Sequence, residues 1–510
     1  GGFDEYLRGE EGHRFMLKVG ANEFIPRDDL KEIEPSRGMD VVTTLNVNIQ
    51  DVTHYSLLRA LEKHDATWGT AIVMDVETGA IKAMSNLEKV NDGRYAESYN
   101  FAVGRKVEPG STMKLASYMA LLEDRAITSS SEVELNKGYA RFCNQDMKDS
   151  EPHDIMRTDA KTAFEKSSNV GIASLVQRHF GKDKKAKGFI QRLRQFRLDE
   201  STNIEIEGEP SPYIKDAFSE DDGWSCTSLP WMSIGYEMEL TPLQIASFYN
   251  AVANGGQMMT PYIVDHILKD GKVHKKFGPN VKDKAIASPE TISLAQAALA
   301  GVVTDGTAQR MQSKYFSFAG KTGTTQVNYS DRENMTYQSS FVGYFPADNP
   351  KYTCLVMIYN PERGGFYGAT VAGPVFRDIA DRCFSSDLEL ANPFEVAKAR
   401  SLRIHLPIEH KMYREDWTYF TDRYKFPFSK EADGEWYYLK GKNDSIVGLP
   451  FFRNSDRVPD VRGMALKDAL FLLENAGLQV ELNGDVGKIQ AQSLRAGTPI
   501  QGQKIKLTLG

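Results

Sequence analysis

The segment VEPGSTMKLASYMALLE, residues 107–123, places a serine directly after Pro-Gly and a lysine three positions later. Pro109 and Gly110 interrupt whatever precedes them, so a helix is predicted to begin at Ser111. Residues three apart share one face of a helix, and Ser111 and Lys114 are therefore predicted to touch. Free backbone N–H groups and the positive end of the helix dipole favour an oxyanion there. The segment predicts a nucleophilic serine beside its own base.

A lysine acts as a base only when it is neutral. The pKa of Lys114 must therefore fall from about 10.4 towards neutrality, through burial or through a nearby cation. The alternative is that Ser111 caps the helix and Lys114 is a solvated helix residue, which holds for most isolated pairs with this spacing. Further motifs help to decide between a nucleophile with its base and an ordinary helix start.

The segment GKTGT, residues 320–324, offers a second cation within a predicted strand. Glycines in a strand let a ligand or another backbone come close. Lys321 would then lie beside Lys114 and lower its pKa, while Thr322 and Thr324 would offer hydroxyls to a substrate carboxylate. The alternative is a glycine-rich hairpin edge with a solvated lysine.

Gly-Lys-Thr also occurs in nucleotide-binding P-loops. That motif requires a glycine five residues before Gly320, where this chain has Tyr315, and it requires a helix after the motif. Since a strand is predicted instead, nucleotide binding does not fit.

The pattern Ser-x-Asn occurs at residues 98–100, 167–169 and 201–203. Only the middle copy lies between the two lysine motifs and begins an apolar stretch, as a loop from a helical region would. There Ser167 would relay a proton to a leaving amine, and Asn169 would hydrogen-bond a substrate amide and Lys114. Taken alone, the pattern is more typical of a helix N-cap.

Strand patterns occur at both ends of a helical middle. Strands are predicted at 41–49, 316–327, 339–347 and 352–360, a hairpin at 71–85, and helices at 49–61, 115–122, 242–253 and 373–384. No strand–helix–strand rhythm runs through the chain. We therefore predict an α+β fold, with an antiparallel sheet flanked by helices, for residues 41–385.

The remaining segments are predicted to form separate parts. Residues 456–510 combine one amphipathic helix, a glycine C-cap at Gly477 and two strand patterns, which predicts a small α/β module. Residues 386–455 are aromatic and charged without a clear period, and are interpreted as a structured connector. Residues 1–40 resemble the end of a domain whose beginning is missing.

Composition excludes several classes of protein. The 510 residues carry a formal net charge of −7, which argues against nucleic-acid binding. The cysteines form no C-x-x-C motif and are predicted to be buried thiols: Cys143, Cys226, Cys354 and Cys383. There is no apolar run of about 18 residues, and we expect an ectodomain from which a membrane anchor was removed.

The ordered set Ser-x-x-Lys, Ser-x-Asn and Lys-Thr-Gly is a signature of serine acyl transferases. With the longer segments EPGSTMK, SSNVG, WMSIGYEMELTPLQIASFYNAVANGG, FAGKTGTTQ and FVGYFPADNP, it resembles class B high-molecular-weight penicillin-binding proteins of the division (FtsI) type. The resemblance covers residues 41–385, the transpeptidase domain. Residues 456–510 resemble a PASTA domain, and residues 1–40 the C-terminal part of the pedestal domain that precedes the transpeptidase.

The resemblance implies a D,D-transpeptidase that cross-links peptidoglycan stem peptides through an acyl-enzyme. Ser111 would be the nucleophile and Lys114 the base, with Ser167, Asn169 and Lys321 completing the catalytic set. Thr322, Gly323 and Thr324 would bind substrate, and the backbone N–H groups of Ser111 and Thr324 would form the oxyanion hole. No metal or organic cofactor is implied.

The resemblance also implies a setting. The protein would act in septal cell-wall synthesis on the periplasmic face of the bacterial inner membrane, held by an anchor absent from this chain. Its partners would be stem peptides, β-lactams as covalent inhibitors, and division proteins including a glycosyltransferase.

Rival functions share part of this chemistry. A D,D-carboxypeptidase differs only in using water as the acceptor, and a cell-wall scaffold or β-lactam sensor would retain the motifs without turnover. A class A β-lactamase needs an E-x-x-L-N segment after Ser-x-Asn, whereas EVELN at residues 132–136 precedes it. We therefore interpret that match as coincidence.

Overall fold

The computed structural model describes residues 2–26, 32–91, 93–181, 186–217, 219, 222–328, 335–386, 409–424, 428–430, 433–442, 445–451, 456–484 and 487–510. The chain divides into two compact units, Gly1–Asn392 and Pro393–Gly510. Each unit has its own hydrophobic core.

The first unit contains helices throughout its length. They are α1 (Asp4–Leu7), α2 (Val47–His64), α3 (Phe101–Gly104), α4 (Lys114–Glu123), α5 (Ala160–Glu165), α6 (Asn169–Phe180), α7 (Ala186–Gln195), α8 (Ser228–Met232), α9 (Pro242–Ala253), α10 (Pro289–Thr304) and α11 (Gly368–Ser386), with 3₁₀ turns at Gly110–Met113 and Gln309–Met311.

The strands of this unit include both long central strands and short hairpins. They are β1 (Met16–Lys18), β2 (Phe24–Pro26), β3 (Asp40–Thr43), β4 (Trp68–Asp75), β5 (Ile81–Lys89), β6 (Tyr95–Ala96), β7 (Glu132–Glu134), β8 (Tyr139–Phe142), β9 (Gln145–Lys148), β10 (Arg157–Asp159), β11 (Tyr213–Ile214), β12 (Met238–Glu239), β13 (Met258–Met259), β14 (Val264–Lys269), β15 (Lys272–Lys276), β16 (Val281–Asp283), β17 (Ala319–Val327), β18 (Thr336–Phe345) and β19 (Tyr352–Tyr359).

The central sheet has six strands in the order β17-β18-β19-β4-β5-β6, and every neighbouring pair is antiparallel. Successive side chains of a strand point to opposite faces, and all residues of β4 except the last are buried. Both faces of the sheet are therefore covered. Helices α2 and α11 pack against the sheet and each other, and α9 packs against β4, β18 and β19. This architecture confirms the predicted α+β fold.

The strand predicted at residues 41–49 is only half right. The strand β3 ends at Thr43, and α2 begins at Val47. Asn46 stops the strand pattern because its side chain accepts hydrogen bonds from the N–H groups of Asn48 and Ile49, at 3.0 and 3.3 Å. An asparagine N-cap satisfies donors that would otherwise lack partners at the start of a helix, and the alternation of polar and apolar residues from Thr44 to Ile49 concealed it.

The second unit contains α12 (Arg414–Tyr424), α13 (Leu466–Asn475), β20 (Glu409–Tyr413), β21 (Phe428–Lys430), β22 (Trp436–Lys442), β23 (Ser445–Pro450), β24 (Gln479–Asn483), β25 (Ile489–Gln492) and β26 (Lys504–Leu509). The elements predicted within residues 456–510 are confirmed, including the cap at Gly477 with φ +84°. Residues 387–408, at the start of the predicted connector, lie outside the described residues. The domain boundaries remain predictions.

The cysteine prediction is wrong for one pair. Cys143 and Cys226 form a disulfide across 83 positions, with their Cα atoms 6.3 Å apart. Cys354 and Cys383 are buried thiols, as predicted. Spacing in the sequence does not show that the turn between β8 and β9 lies beside the segment before α8.

Among the described residues, none of the helices combines the length and hydrophobicity that a membrane span requires.

Candidate active site

Ser111 lies in a short 3₁₀ turn that leads directly into α4. The predicted helix start is shifted, since the turn opens at Gly110 and the α-helical part begins at Lys114. Ser111 is 8% exposed, lines two adjacent cavities, and its hydroxyl takes part in no hydrogen bond within the described part of the chain. The hydroxyl is therefore free to meet a ligand.

The residue before the serine has to be glycine. Gly110 has φ +54°, a conformation that favours glycine, and its N–H donates to Gly235 O at 3.1 Å. A Cβ atom at this position would collide with the hydroxyl of Thr325 on β17. The glycine thus lets the serine turn lie directly against the edge strand of the sheet.

Lys114 is fully buried and points towards the Ser-x-Asn loop. Its Nζ donates to the backbone oxygen of Ser167 at 2.6 Å, to Ser167 Oγ at 3.2 Å and to Asn169 Oδ1 at 2.6 Å. The three protons of the ammonium form thus have three acceptors within the protein. The structure brings together the first two predicted motifs.

Ser167 connects α5 to α6 in an unusual conformation. Its φ of +55° is rare for a residue with a side chain and marks local strain. The predicted alternative, a helix N-cap, applies to Ser168, whose Oγ accepts from Gly171 N at 2.9 Å. Ser167 and Asn169 are thereby left to face the lysines.

Lys321 completes the cluster from β17, the edge strand of the sheet. It is fully buried, and its Nζ donates to Ser167 Oγ at 2.7 Å and to Thr322 O at 3.1 Å. The ammonium also lies 5.9 Å from the centre of the Phe164 ring, within range of a cation–π contact. Ser167 Oγ is therefore shared by both lysines.

Burial disfavours the charged form of both lysines. It lowers the pKa of Lys114 to about 7, against a smaller opposing effect of the Asp149 carboxylate. Burial, followed by the proximity of Lys114, holds the pKa of Lys321 well below its usual range. The sequence predicted that Lys321 would depress the pKa of Lys114, but burial is the cause at Lys114.

The Lys-Thr-Gly segment presents its threonines to the cavities beside Ser111. Thr322 Oγ1 lies 2.8 Å from Thr307 Oγ1, and Thr324 Oγ1 accepts from Gly368 N at 3.1 Å. Gly323 is tightly enclosed, and a Cβ there would collide with the hydroxyl of Ser340. All eight predicted site residues lie within this one region.

Two cavities meet at Ser111, with volumes of about 440 and 220 Å³. The larger has an aromatic wall that the sequence did not predict, formed by Trp231, Tyr236, Tyr337, Phe366 and Tyr367. The rings of Tyr337 and Phe366 stack with centroids 3.9 Å apart. Scattered aromatic residues have no spacing signature, so only the fold assembles them.

Residues 69–381 match the family model for the penicillin-binding protein transpeptidase domain, and residues 456–510 match the PASTA domain. The chain belongs to the penicillin-binding protein transpeptidase family. The predicted recognition of class B penicillin-binding proteins with a PASTA domain is confirmed.

Curated relatives agree with this assignment. The chain is 30% identical to penicillin-binding protein PbpB of Mycolicibacterium smegmatis over 400 residues, which are 74% of this chain and 59% of the relative. It is 26% identical to stage V sporulation protein D of Bacillus subtilis, over 99% of this chain and 71% of the relative. It is 26% identical to peptidoglycan D,D-transpeptidase FtsI of Escherichia coli, over 74% of this chain and 61% of the relative. The chain thus spans less than two thirds of PbpB and FtsI.

A solved structure of the family has the same fold. Penicillin-binding protein 3 of Mycobacterium tuberculosis, in complex with aztreonam, aligns with a TM-score of 0.59 and 26% identity, over 69% of this chain and 80% of that one.

The segment that matches a class A β-lactamase motif lies elsewhere in this penicillin-binding protein. Glu132 is on β7, where its exposed carboxylate is 3.8 Å from the guanidinium of Arg157. It lines neither cavity at Ser111. This position agrees with the interpretation of EVELN as coincidence.

Proposed function

We propose that the protein is a peptidoglycan D,D-transpeptidase that cross-links stem peptides through an acyl-enzyme on Ser111. One observation carries the proposal: the Ser111 hydroxyl lies where two cavities meet, and the smaller cavity is also lined by Ser167, whose Oγ accepts hydrogen bonds from two buried lysines. The relative FtsI, whose name states this activity, supports the choice of reaction.

In the acylation step, Ser111 Oγ attacks the carbonyl between the two terminal D-alanines. Its proton passes to neutral Lys114 Nζ as the Oγ–C bond forms. The C–N bond then breaks, and the leaving amine of D-alanine takes a proton relayed by Ser167. Lys114 suits the role of base because its pKa is about 7, so a substantial fraction is neutral near neutral pH.

The surrounding groups would bind and polarise the substrate. The backbone N–H groups of Ser111 and Thr324 would donate to the oxyanion, and the hydroxyls of Thr322 and Thr324 would bind the terminal carboxylate. Strand β17 is at the edge of the sheet, so an extended peptide can add to it by backbone hydrogen bonds. Asn169 would orient the substrate amide.

In the second step, an amine from a neighbouring stem attacks the acyl carbon. A new C–N bond forms, the C–Oγ bond breaks, and the proton returns to Ser111. β-Lactams would acylate Ser111 in the same way, and the aztreonam complex of the related Mycobacterium tuberculosis protein supports this part of the proposal.

The proposal is tested with a defined stem-peptide donor and an amine acceptor. We expect release of D-alanine coupled to formation of the cross-linked product, and loss of both with Ser111→Ala. Release of D-alanine without amine incorporation would identify a D,D-carboxypeptidase instead. A chain that releases no D-alanine would be a β-lactam sensor if penicillin acylates it, and a scaffold if penicillin does not.

The cellular setting is also proposed. We infer an extracytoplasmic, periplasmic location at the bacterial inner membrane and a role in septal wall synthesis with a glycosyltransferase. The disulfide between Cys143 and Cys226 supports an oxidising compartment. We also propose four parts: the end of a pedestal domain at 1–40, the transpeptidase domain at 41–385, a connector at 386–455 and the PASTA domain at 456–510.

A further inference from the structure

We propose that Asp149 is a positioning residue of this active site, which holds the Ser-x-Asn loop against Lys114 and supplies a negative charge that acts on this buried lysine. The inference rests on the proposed function, because it assigns a role in the same acylation step. Asp149 follows β9 directly and belongs to none of the three sequence motifs.

The carboxylate of Asp149 is buried and fully engaged. Its side chain is 5% exposed. Oδ1 accepts from Val170 N at 2.9 Å, and Oδ2 accepts from Ser168 Oγ at 2.7 Å. Both donors belong to the residues that surround Asn169 at the start of α6. A single carboxylate therefore fixes the loop on either side of the asparagine.

The residue before Asp149 orients the asparagine itself. Asn169 Nδ2 donates to the backbone oxygen of Lys148 at 2.8 Å. Its amide oxygen is thereby turned towards Lys114, to which it is bonded at 2.6 Å. The end of the β8–β9 hairpin thus holds the loop through the Asp149 side chain and the backbone oxygen of Lys148. These contacts can maintain the strained conformation of Ser167.

A histidine supports the carboxylate from the other side. Ile155 N donates to His153 Nδ1 at 3.2 Å, which makes Nδ1 an acceptor and assigns the ring proton to Nε2. Nε2 lies 2.9 Å from Asp149 Oδ2 and donates to it. Since both ring nitrogens are engaged within the protein, His153 orients Asp149 and does not serve as a base for substrate.

The charge of the Asp149 carboxylate matters because Lys114 lies among several ionisable groups. Ionisable groups near the site, among the residues the structure describes, include Lys321 on β17, Asp149 and His153 after β9, Asp146 and Lys148 of β9 at the larger cavity, and Glu151 and Lys166 at the smaller cavity. Glu165 on α5 is paired with Lys161 at 2.5 Å. Asp149 is the carboxylate whose charge acts on Lys114, and it raises the pKa of that lysine against the effect of burial.

The test compares the pH dependence of acylation by a fluorescent penicillin in wild-type protein and in Asp149→Asn. Removing the charge leaves Lys114 easier to deprotonate, so the midpoint of the rate profile should fall by about one pH unit. The acylation rate at pH 8 should also fall by about tenfold or more, because an amide cannot accept from three donors. Asp154→Asn, an exposed site five residues later, makes the same charge change and should match wild type.

A second variant tests the hydrogen bond between Asp149 and the loop separately from the charge of Asp149. Ser168→Ala removes one donor to Asp149 and keeps the carboxylate, so the rate should fall with no change of midpoint. If Asp149 acts through this loop, the double variant should be no slower at pH 8 than Asp149→Asn alone.

Several results would overturn the proposal. If folded Asp149→Asn had the same pH midpoint of acylation as wild type, the proposed effect of the Asp149 charge on Lys114 would be refuted, whatever its acylation rate. A wild-type rate in Ser168→Ala would refute the loop role, and this holds even if Asp149→Asn does not fold. Failure of the wild-type protein to react with penicillin at all would instead refute the proposed function.

Discussion

At the scale of single residues, Lys114 and Lys321 are the unusual feature of the molecule. Two amines that are fully buried and share Ser167 Oγ repel each other when both are charged. The protein offsets this cost with acceptor oxygens from Ser167 and Asn169 and with one nearby carboxylate. The arrangement favours release of a proton near neutral pH, which is what a general base for a serine requires.

Replacing Lys114 should abolish acylation and leave the fold intact. Lys114→Met has a similar length and no charge, so it fills the buried site without a cavity. We expect the rate of penicillin acylation to fall by about a hundredfold or more, with an unchanged circular dichroism spectrum. Lys272→Ala, an exposed change on β15, is the control. Near-normal acylation of Lys114→Met would exclude this lysine as the base.

Raising the pH from 6 to 8 should accelerate acylation of the wild-type protein. Lys114 must be neutral to accept the serine proton, and the neutral fraction rises as the pH passes its pKa of about 7. Stopped-flow measurement with a fluorescent penicillin, at constant ionic strength, gives the profile. A rate that is flat or falls over this range would contradict the assignment.

At the scale of elements, the serine turn, the loop before α6 and β17 come from distant parts of the chain and meet at one point. Glycines at 110 and 323 permit the close approach, since a Cβ at either position would collide with a neighbouring hydroxyl. The β8–β9 hairpin adds a fourth element and is joined to the segment before α8 by the disulfide. The hairpin contributes Asp146, Met147 and Lys148 to the large cavity, and Trp231 of α8 lines the same cavity.

The disulfide predicts a definite thiol count. Protein denatured without a reducing agent and then alkylated should carry two adducts by intact mass, on Cys354 and Cys383, and four adducts after reduction. The Cys143→Ser variant should lose stability, by about 2–4 kcal/mol, because the unfolded chain is then freed from a loop of 83 residues. Four adducts without reduction would show that the pair is not joined.

Some of these features could be predicted from the sequence and others could not. The three motifs combine residue types whose chemistry is specific, so the sequence predicts a common site for Ser111, Lys114 and Lys321, and the structure places the three motifs in one region. Asp149 has no such signature, since an acid at the end of a short hairpin usually faces solvent. The cap at Asn46 was concealed because polar and apolar residues alternate from Thr44 to Ile49, a pattern that is typical of strands.

At the scale of the whole molecule, all the residues of the site belong to the first compact unit. The cavities at Ser111 are lined by residues between 111 and 369. The PASTA domain belongs to the second unit, which has a separate hydrophobic core. The chemistry and the C-terminal module are therefore separable in principle.

A chain that ends at Asn392 should be acylated at the same rate as the full chain, because it retains every residue of the site. Fluorescent penicillin labelling of both proteins at equal concentration measures this, with circular dichroism as the check on folding. A folded truncated chain that reacts tenfold more slowly would show that the second unit contributes to the site.

The most direct test of the whole account is the mass of the protein after exposure to benzylpenicillin. We predict one added penicilloyl group, located on Ser111 in the proteolytic fragment that contains it, and no addition to Ser111→Ala. An unmodified wild-type protein, or an adduct on another residue, would contradict the central claim that Ser111 is an acylated nucleophile.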